Sequence, residues 1–278
     1  MRRKLIWLRV GLMITLVWSV VACSSEEPEG PVECTGLFGT PGESTGLDEE
    51  KCNPSCDCPA ETWTAPDYDA AFIEELREWT LTEVIEVPQE DPYLDEGFEL
   101  PERDGYCGAV IEDFAEKTYR LETFSTLDDL EEAQARLTHQ ESCGLCSTLR
   151  DLAVYLEYTE LTGPVRECGM QAVFSGEEAQ LECIEDLGFS EGCAEIWSWN
   201  TSNTREECMD ICMQYVGEPH NEPDGTLNEC LACDEDKSGE VFQAVAGRTR
   251  RNSGLPSAIC RPCSRLYRMS HETVVQEL

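Results

Sequence analysis

Basic residues are scarce in this chain: 20 Lys+Arg stand against 57 Asp+Glu, a formal charge of −37 over 278 residues. A field of that sign repels polyanions and excludes nucleic acid as a partner. Histidine is scarcer still, and any imidazole-based site must draw on His139, His220 and His271 alone. The signatures HExxH, GxxxxGK[ST] and GxGxxG are all missing. With them go the common zinc-protease, P-loop and dinucleotide-binding chemistries. The N-terminal apolar stretch, Val10 to Ala22, is too short to span a bilayer: thirteen residues of helix rise about 20 Å against a hydrocarbon core of roughly 30 Å.

Cysteine, by contrast, is abundant. Seventeen Cys point to an oxidising compartment, and 41% apolar residues are enough for a packed core.

Arg2, Arg3, Lys4 and Arg9 precede the apolar stretch, which ends in Val20-Val21-Ala22-Cys23. This is the layout of a signal segment followed by a lipobox, and over its first two dozen residues the chain resembles bacterial lipoproteins. The resemblance implies that residues 1–22 are removed, that the Cys23 thiol carries a diacylglycerol, and that the new amino group is acylated. Several acyl chains make a stable bilayer anchor, at about 0.8 kcal/mol per buried methylene. It also implies a cell-envelope location, the outer membrane in a two-membrane cell, because Ser24 replaces the Asp typical of inner-membrane retention. Beyond Cys23, 16 Cys remain (17 less one), an even number that permits eight disulfides.

Residues 23–62 are rich in Pro, Gly, Ser and Glu without apolar periodicity and read as an acidic tether, interrupted by Cys34, Cys52, Cys56 and Cys58. Residues 63–142 read as a small α+β segment. Phe72, Ile73, Leu76 and Trp79 space a helix, and Leu81–Val87 has strand composition up to Pro88. Ala109–Phe114 and Thr118–Phe124 form a hairpin, Leu127–Ala135 a helix capped by Thr126, and Arg136–His139 a returning strand. Residues 143–216 are helical and Cys-rich, with a Leu149/Leu152/Ala153/Leu156 stripe. A helix opens at Pro164, another at a Ser175/Glu178 capping box, and two more cover Gly192–Trp199 and Thr204–Val216. Cys208 and Cys212, at i and i+4, project in parallel and therefore bond a neighbouring helix rather than each other. Residues 217–278 read as an irregular Cys-rich segment. The expected fold is α+β, predominantly α: a disulfide-stapled helical body with a small antiparallel or mixed β layer, residues 63–278 forming one body.

Four constellations could carry chemistry. Cys143-Gly-Leu-Cys146 precedes a helix, whose N-terminus lowers a thiol pKa, and His139 stands four residues upstream. It resembles the strand–CxxC–helix turn of thioredoxin-like oxidoreductases, which implies Cys143 as attacking and Cys146 as resolving thiol. Cys230-x-x-Cys233 and Cys260-x-x-Cys263 have the spacing of a four-cysteine zinc site, against which stands their reading, with Cys168, Cys183, Cys193, Cys208 and Cys212, as structural disulfides. Asp234, Asp236, Ser238 and Glu240 match the first half of a calcium loop, making calcium the one candidate cofactor, although Val245 stands where the bidentate Glu belongs. Arg248, Arg250 and Arg251 begin a strip that continues to Arg268 without an acid; it either docks onto the protein's own acidic surface or offers bidentate grips on a small anion. Trp197-Ser198-Trp199 could add an aromatic surface. The expectation is an envelope-anchored binding or structural module. The alternatives are a thiol–disulfide oxidoreductase at Cys143/Cys146 and an anion binder at the arginine strip. Beyond the bilayer, the partner is a protein or a small anionic ligand.

Overall fold

The computed structural model describes residues 66–255 and 269–277, apart from residues 96, 159–160, 219, 221 and 223–226. The lipobox with Cys23, the tether with its four Cys, Cys260, Cys263 and the last three arginines of the strip lie outside these. Within them the fold is α+β and mainly α, with eight α-helices and one four-stranded mixed sheet.

The first helix, α1 (Ala70–Arg77), starts at Asp69, whose carboxylate accepts from Phe72 N at 2.9 Å and fills one of the orphan donors of the first turn. Its apolar face, Ile73 and Leu76, is buried with Trp79 in the main core. The run 81–87 is not a strand. Only β1 (Thr80–Leu81) pairs, parallel to β3, and its sequel turns outward with Val84 90% exposed. β-branched composition alone did not secure a ladder partner for the rest of that run.

The hairpin forms as expected from β2 (Tyr106–Asp113) and β3 (Thr118–Phe124), antiparallel, with Asp113 Oδ1 accepting from Ala115 N and Glu116 N in the turn. Thr126 caps α2 (Leu127–Glu132) through Asp129 N, and β4 (Arg136–Gln140) returns antiparallel to β2. The sheet order is β1-β3-β2-β4.

The helical part follows: α3 (Leu149–Glu157), α4 (Thr162–Ser175), α5 (Glu177–Asp186), α6 (Glu191–Cys212), α7 (Glu229–Lys237) and α8 (Gly239–Ala246). Leu149, Leu152, Ala153, Val154 and Tyr155 of α3 are buried and join the sheet to the helices in one core. Each fully buried Leu among them contributes roughly 1.5–3 kcal/mol. Two expected helix starts are corrected. Gly176 rather than Ser175 caps α5, without a side-chain bond, and α6 runs unbroken through Thr204. The Thr204 hydroxyl lies 2.9 Å from the Asn200 carbonyl one turn back and within reach of the Asp234 carboxylate on α7, so it faces partners beside the helix instead of opening a new one.

Candidate functional site

The Cys143/Cys146 pair is corrected first. Cys143 is bonded to Cys107 on β2, and Cys146 to Cys193 on α6. The two sulfurs thus point to different layers, and no dithiol remains for exchange. Gly144 between them lies against residues 245–247: Leu145 N and Cys146 N donate to the Val245 and Ala246 carbonyls, both at 2.9 Å. A Cβ on Gly144 would stand 2.5 Å from Val245 O. The motif is a crossing point of the chain, and its glycine is there for backbone approach.

His139 is buried in the same knot. Its Nδ1 donates to the Gln140 carbonyl, and its Nε2 meets Ser147 Oγ, both at 2.7 Å. Ser147 Oγ also accepts from Gly144 N. Burial and the nearby Arg248 charge hold the imidazole well below its usual pKa, hence neutral, with Nε2 accepting the serine proton. The Ser–His pair has the contacts of a nucleophile and base, but both residues are 0% exposed, so no substrate reaches them.

Arg248 is not an anion site either. It is fully buried, and its guanidinium donates to the carbonyls of Cys146 (2.9 Å), Thr138 (2.9 Å) and Ser147 (3.1 Å). It ties β4, the cysteine turn and the segment after α8 together. Desolvation lowers its pKa to about 10, while the buried carboxylate of Asp151 acts the other way. Arg250 likewise turns to the protein's own carbonyls, those of Tyr155 and Tyr158 at 2.6 and 2.7 Å, and Arg251 reaches Gln243 Oε1 at 3.5 Å.

The metal readings change too. Asp234 and Asp236 lie inside α7 and Glu240 inside α8, with Ser238 at the junction, so their backbone is helical and the sharp calcium loop is not formed. Cys230 is bonded to Cys212 and Cys233 to Cys208, as the parallel projection of Cys208 and Cys212 demands; half of the presumed zinc quartet is thereby oxidised. Cys168–Cys183 staples α4 to α5. Among the described residues no cluster of three or more His, Cys, Asp or Glu has metal-holding geometry.

What the structure brings together instead is a cleft of about 310 Å3 between α4, α6 and the α7–α8 pair. Its floor holds Trp197, whose ring meets Phe242 edge-on at 4.6 Å. Its rim carries Met170 and Val173 from α4 and Met209, Met213 and Val216 from the C-terminal end of α6 and beyond, all of them exposed. Three of the four methionines beyond residue 23 line this one cleft; the fourth, Met269, is buried. Unbranched thioethers adapt to the shape of an apolar guest, and exposed apolar patches mark interaction sites.

The polar lining is specific. Asp234 accepts from Thr204 Oγ1 and is flanked by Asn200, whose Oδ1 accepts from Tyr93 at 2.9 Å. Desolvation, with a smaller push from Glu235, raises the Asp234 carboxyl to about 6, whereas Thr204, Asn200 and the Arg166 charge oppose the shift. Arg205 donates to Gln180 Oε1 at 2.8 Å, and Gln180 in turn donates to Ser198 and Ser202, locking α5 to α6. The sequence drew attention to Asp234, Arg250, Arg251 and Trp197, each for another reason. It gave no notice of Arg166, Arg205 or the methionines. The one signal available was exposed-type apolar residues at helical spacing, Met170/Val173 and Met209/Met213.

Residues 177–269 match a family of unknown function, DUF8771, a span of about a third of the chain that includes α5 to α8 and so one wall of the cleft. No curated protein and no solved structure matches the chain.

Proposed function

We propose that the protein is an envelope-anchored lipoprotein acting as a binding module, with the methionine-lined cleft as its binding site. The observation that carries the reading is the pairing of a concave apolar cleft with a rim of exposed methionines. A pocket of about 300–1,000 Å3 with a few polar groups at fixed points is the usual form of a small-molecule site. The disulfides support it: Cys168–Cys183, Cys208–Cys233 and Cys212–Cys230 staple the helices that form its walls, so the cleft persists without a ligand to hold it open. The Val20-Val21-Ala22-Cys23 resemblance supplies the anchor, and Ser24 the outer membrane of a two-membrane envelope.

The test has two arms. Wild-type protein should partition into detergent with a lipid-modified N-terminal Cys23 peptide by mass spectrometry, and Cys23→Ala should be recovered in the aqueous phase. An environment-sensitive apolar dye should light up on the wild-type protein and lose at least tenfold in affinity in Met209→Asp/Met213→Asp. Aqueous partitioning of the wild type would remove the anchor, and equal dye binding by the double variant would remove the site.

A further inference from the structure

We infer that the cleft takes a single-chain anionic amphiphile, its alkyl chain along the methionine rim and its anionic head at Arg166 and Arg205. The inference rests on the reading of the cleft as a binding site and adds the chemical class of its ligand.

Charge is the first argument. The chain carries −37, yet the charged residues lining the cleft are four arginines, Arg166, Arg205, Arg250 and Arg251, against Asp234 and Glu235. The lining is thus net positive (four less two) inside a strongly negative molecule. An acidic exterior turns away polyanions, whereas a guest with one negative charge and an apolar tail meets attraction only inside the cleft.

The state of the two inner arginines is the second. Arg166, half-buried on α4, makes no ion pair within 4.0 Å among the described residues. The counter-charge acting on it is Asp234, a carboxylate already engaged by Thr204 and Asn200. Arg205 is held by neutral oxygens, Gln180 Oε1 at 2.8 Å and Ser202 Oγ at 3.3 Å, and its carboxylate neighbour Glu177 stands 3.6 Å away with a side chain 77% exposed. Neutral acceptors orient a guanidinium without cancelling its charge, and an exposed ion pair contributes little. Covering these cations with a purely apolar guest would strip their water and give nothing in return; a carboxylate or phosphate on the guest replaces that water with charge-assisted bonds.

Size is the third. About 310 Å3 sits at the small end of the ligand-pocket range, which suits one chain better than a folded partner. The shared chemistry, an alkyl chain ending in an anion, comes from a free long-chain carboxylate or from a lysophospholipid.

The test is calorimetric titration of the full-length protein with laurate, dodecanol and a twelve-carbon lysophosphatidate, each below its aggregation threshold. Laurate is expected to bind at least tenfold tighter than dodecanol. Arg166→Gln should erase that difference by weakening laurate at least tenfold, with an unchanged far-UV spectrum and urea midpoint reporting that the variant is folded, and Arg166→Lys should retain part of it. Lysophosphatidate binding tighter than laurate identifies a phospholipid source, and weaker binding a free carboxylate; the shared chemistry holds in both. Equal affinity for laurate and dodecanol overturns the head-group assignment but leaves the cleft as an apolar site. Binding of none of the three overturns the binding reading as well.

Discussion

Arg248 Nε donates to the carbonyl oxygen of Cys146 at 2.9 Å, joining residues 102 apart in the chain. The same guanidinium holds Thr138 O and Ser147 O, so one buried cation satisfies three carbonyls at the place where strand β4, the Cys143–Cys146 turn and the segment after α8 cross. A buried charge of this kind contributes less through attraction than through what its loss would leave unpaired. Arg248→Met should therefore destabilise the protein by about 3–5 kcal/mol, with three carbonyls deprived of donors. Arg248→Lys, which keeps the charge but not the fork, should fall between. Urea unfolding monitored by tryptophan fluorescence measures both.

The sulfur pattern makes a second prediction. Non-reducing peptide mapping should recover Cys107–Cys143 and Cys146–Cys193 and no Cys143–Cys146 loop. Replacing Cys146 and Cys193 together by Ala should cost about 2–4 kcal/mol, the usual size for a native cross-link.

Acid stability should follow the buried histidines. His271 is fully buried; its Nε2 donates to Ser253 O at 2.9 Å, and desolvation with the Arg248 charge lowers its pKa from 6.5 to about 3. His139 is lowered by the same two causes. A depressed basic group stays neutral in the fold while the unfolded chain takes up a proton. The stabilisation is complete above pH 6.5 and is lost as pH falls toward 3. For His271 alone the loss reaches about 4 kcal/mol across that window. His271→Gln should flatten the profile between pH 6.5 and 3, as read by unfolding midpoints at fixed urea.

Asp234 has the opposite sign. Its carboxyl is raised from 3.8 to about 6, so the contribution to stability is complete below pH 3.8 and disappears as pH rises through 6. Asp234→Asn, which still accepts from Thr204, should be more stable than wild type by about 3 kcal/mol at pH 7 and nearly equal to it near pH 4. The substitution also removes the negative charge beside Arg166, and laurate should bind it several-fold tighter at pH 7. Titrations at pH 5 and 7 on both proteins check the two effects together.

Local signals were legible in the sequence. Thr126 as a cap, the Ala115–Lys117 turn between β2 and β3 and the outward bonding of Cys208 and Cys212 all follow from neighbours within four residues. Long-range closure was not. Cys143 and Cys146 stand three residues apart and look like a dithiol, but their partners lie 36 and 47 residues away on different layers. The arginines after Ala246 read as a surface strip because nothing in their own segment records the carbonyls of Thr138 and Tyr155 that receive them. Thr204 read as a helix start, yet its hydroxyl faces the Asn200 carbonyl and the Asp234 carboxylate, and α6 continues. The cleft was illegible for the same reason: Met170, Met209 and Met213 are ordinary helix residues until α4 and α6 are placed side by side.

The most direct test of the cleft as a ligand site is methionine-methyl NMR of protein labelled with 13C at the methionine methyls, titrated with laurate. The account predicts that the Met170, Met209 and Met213 resonances shift in a saturable manner while buried Met269 stays still. Absence of any saturable shift, or an equal shift of Met269, would contradict it.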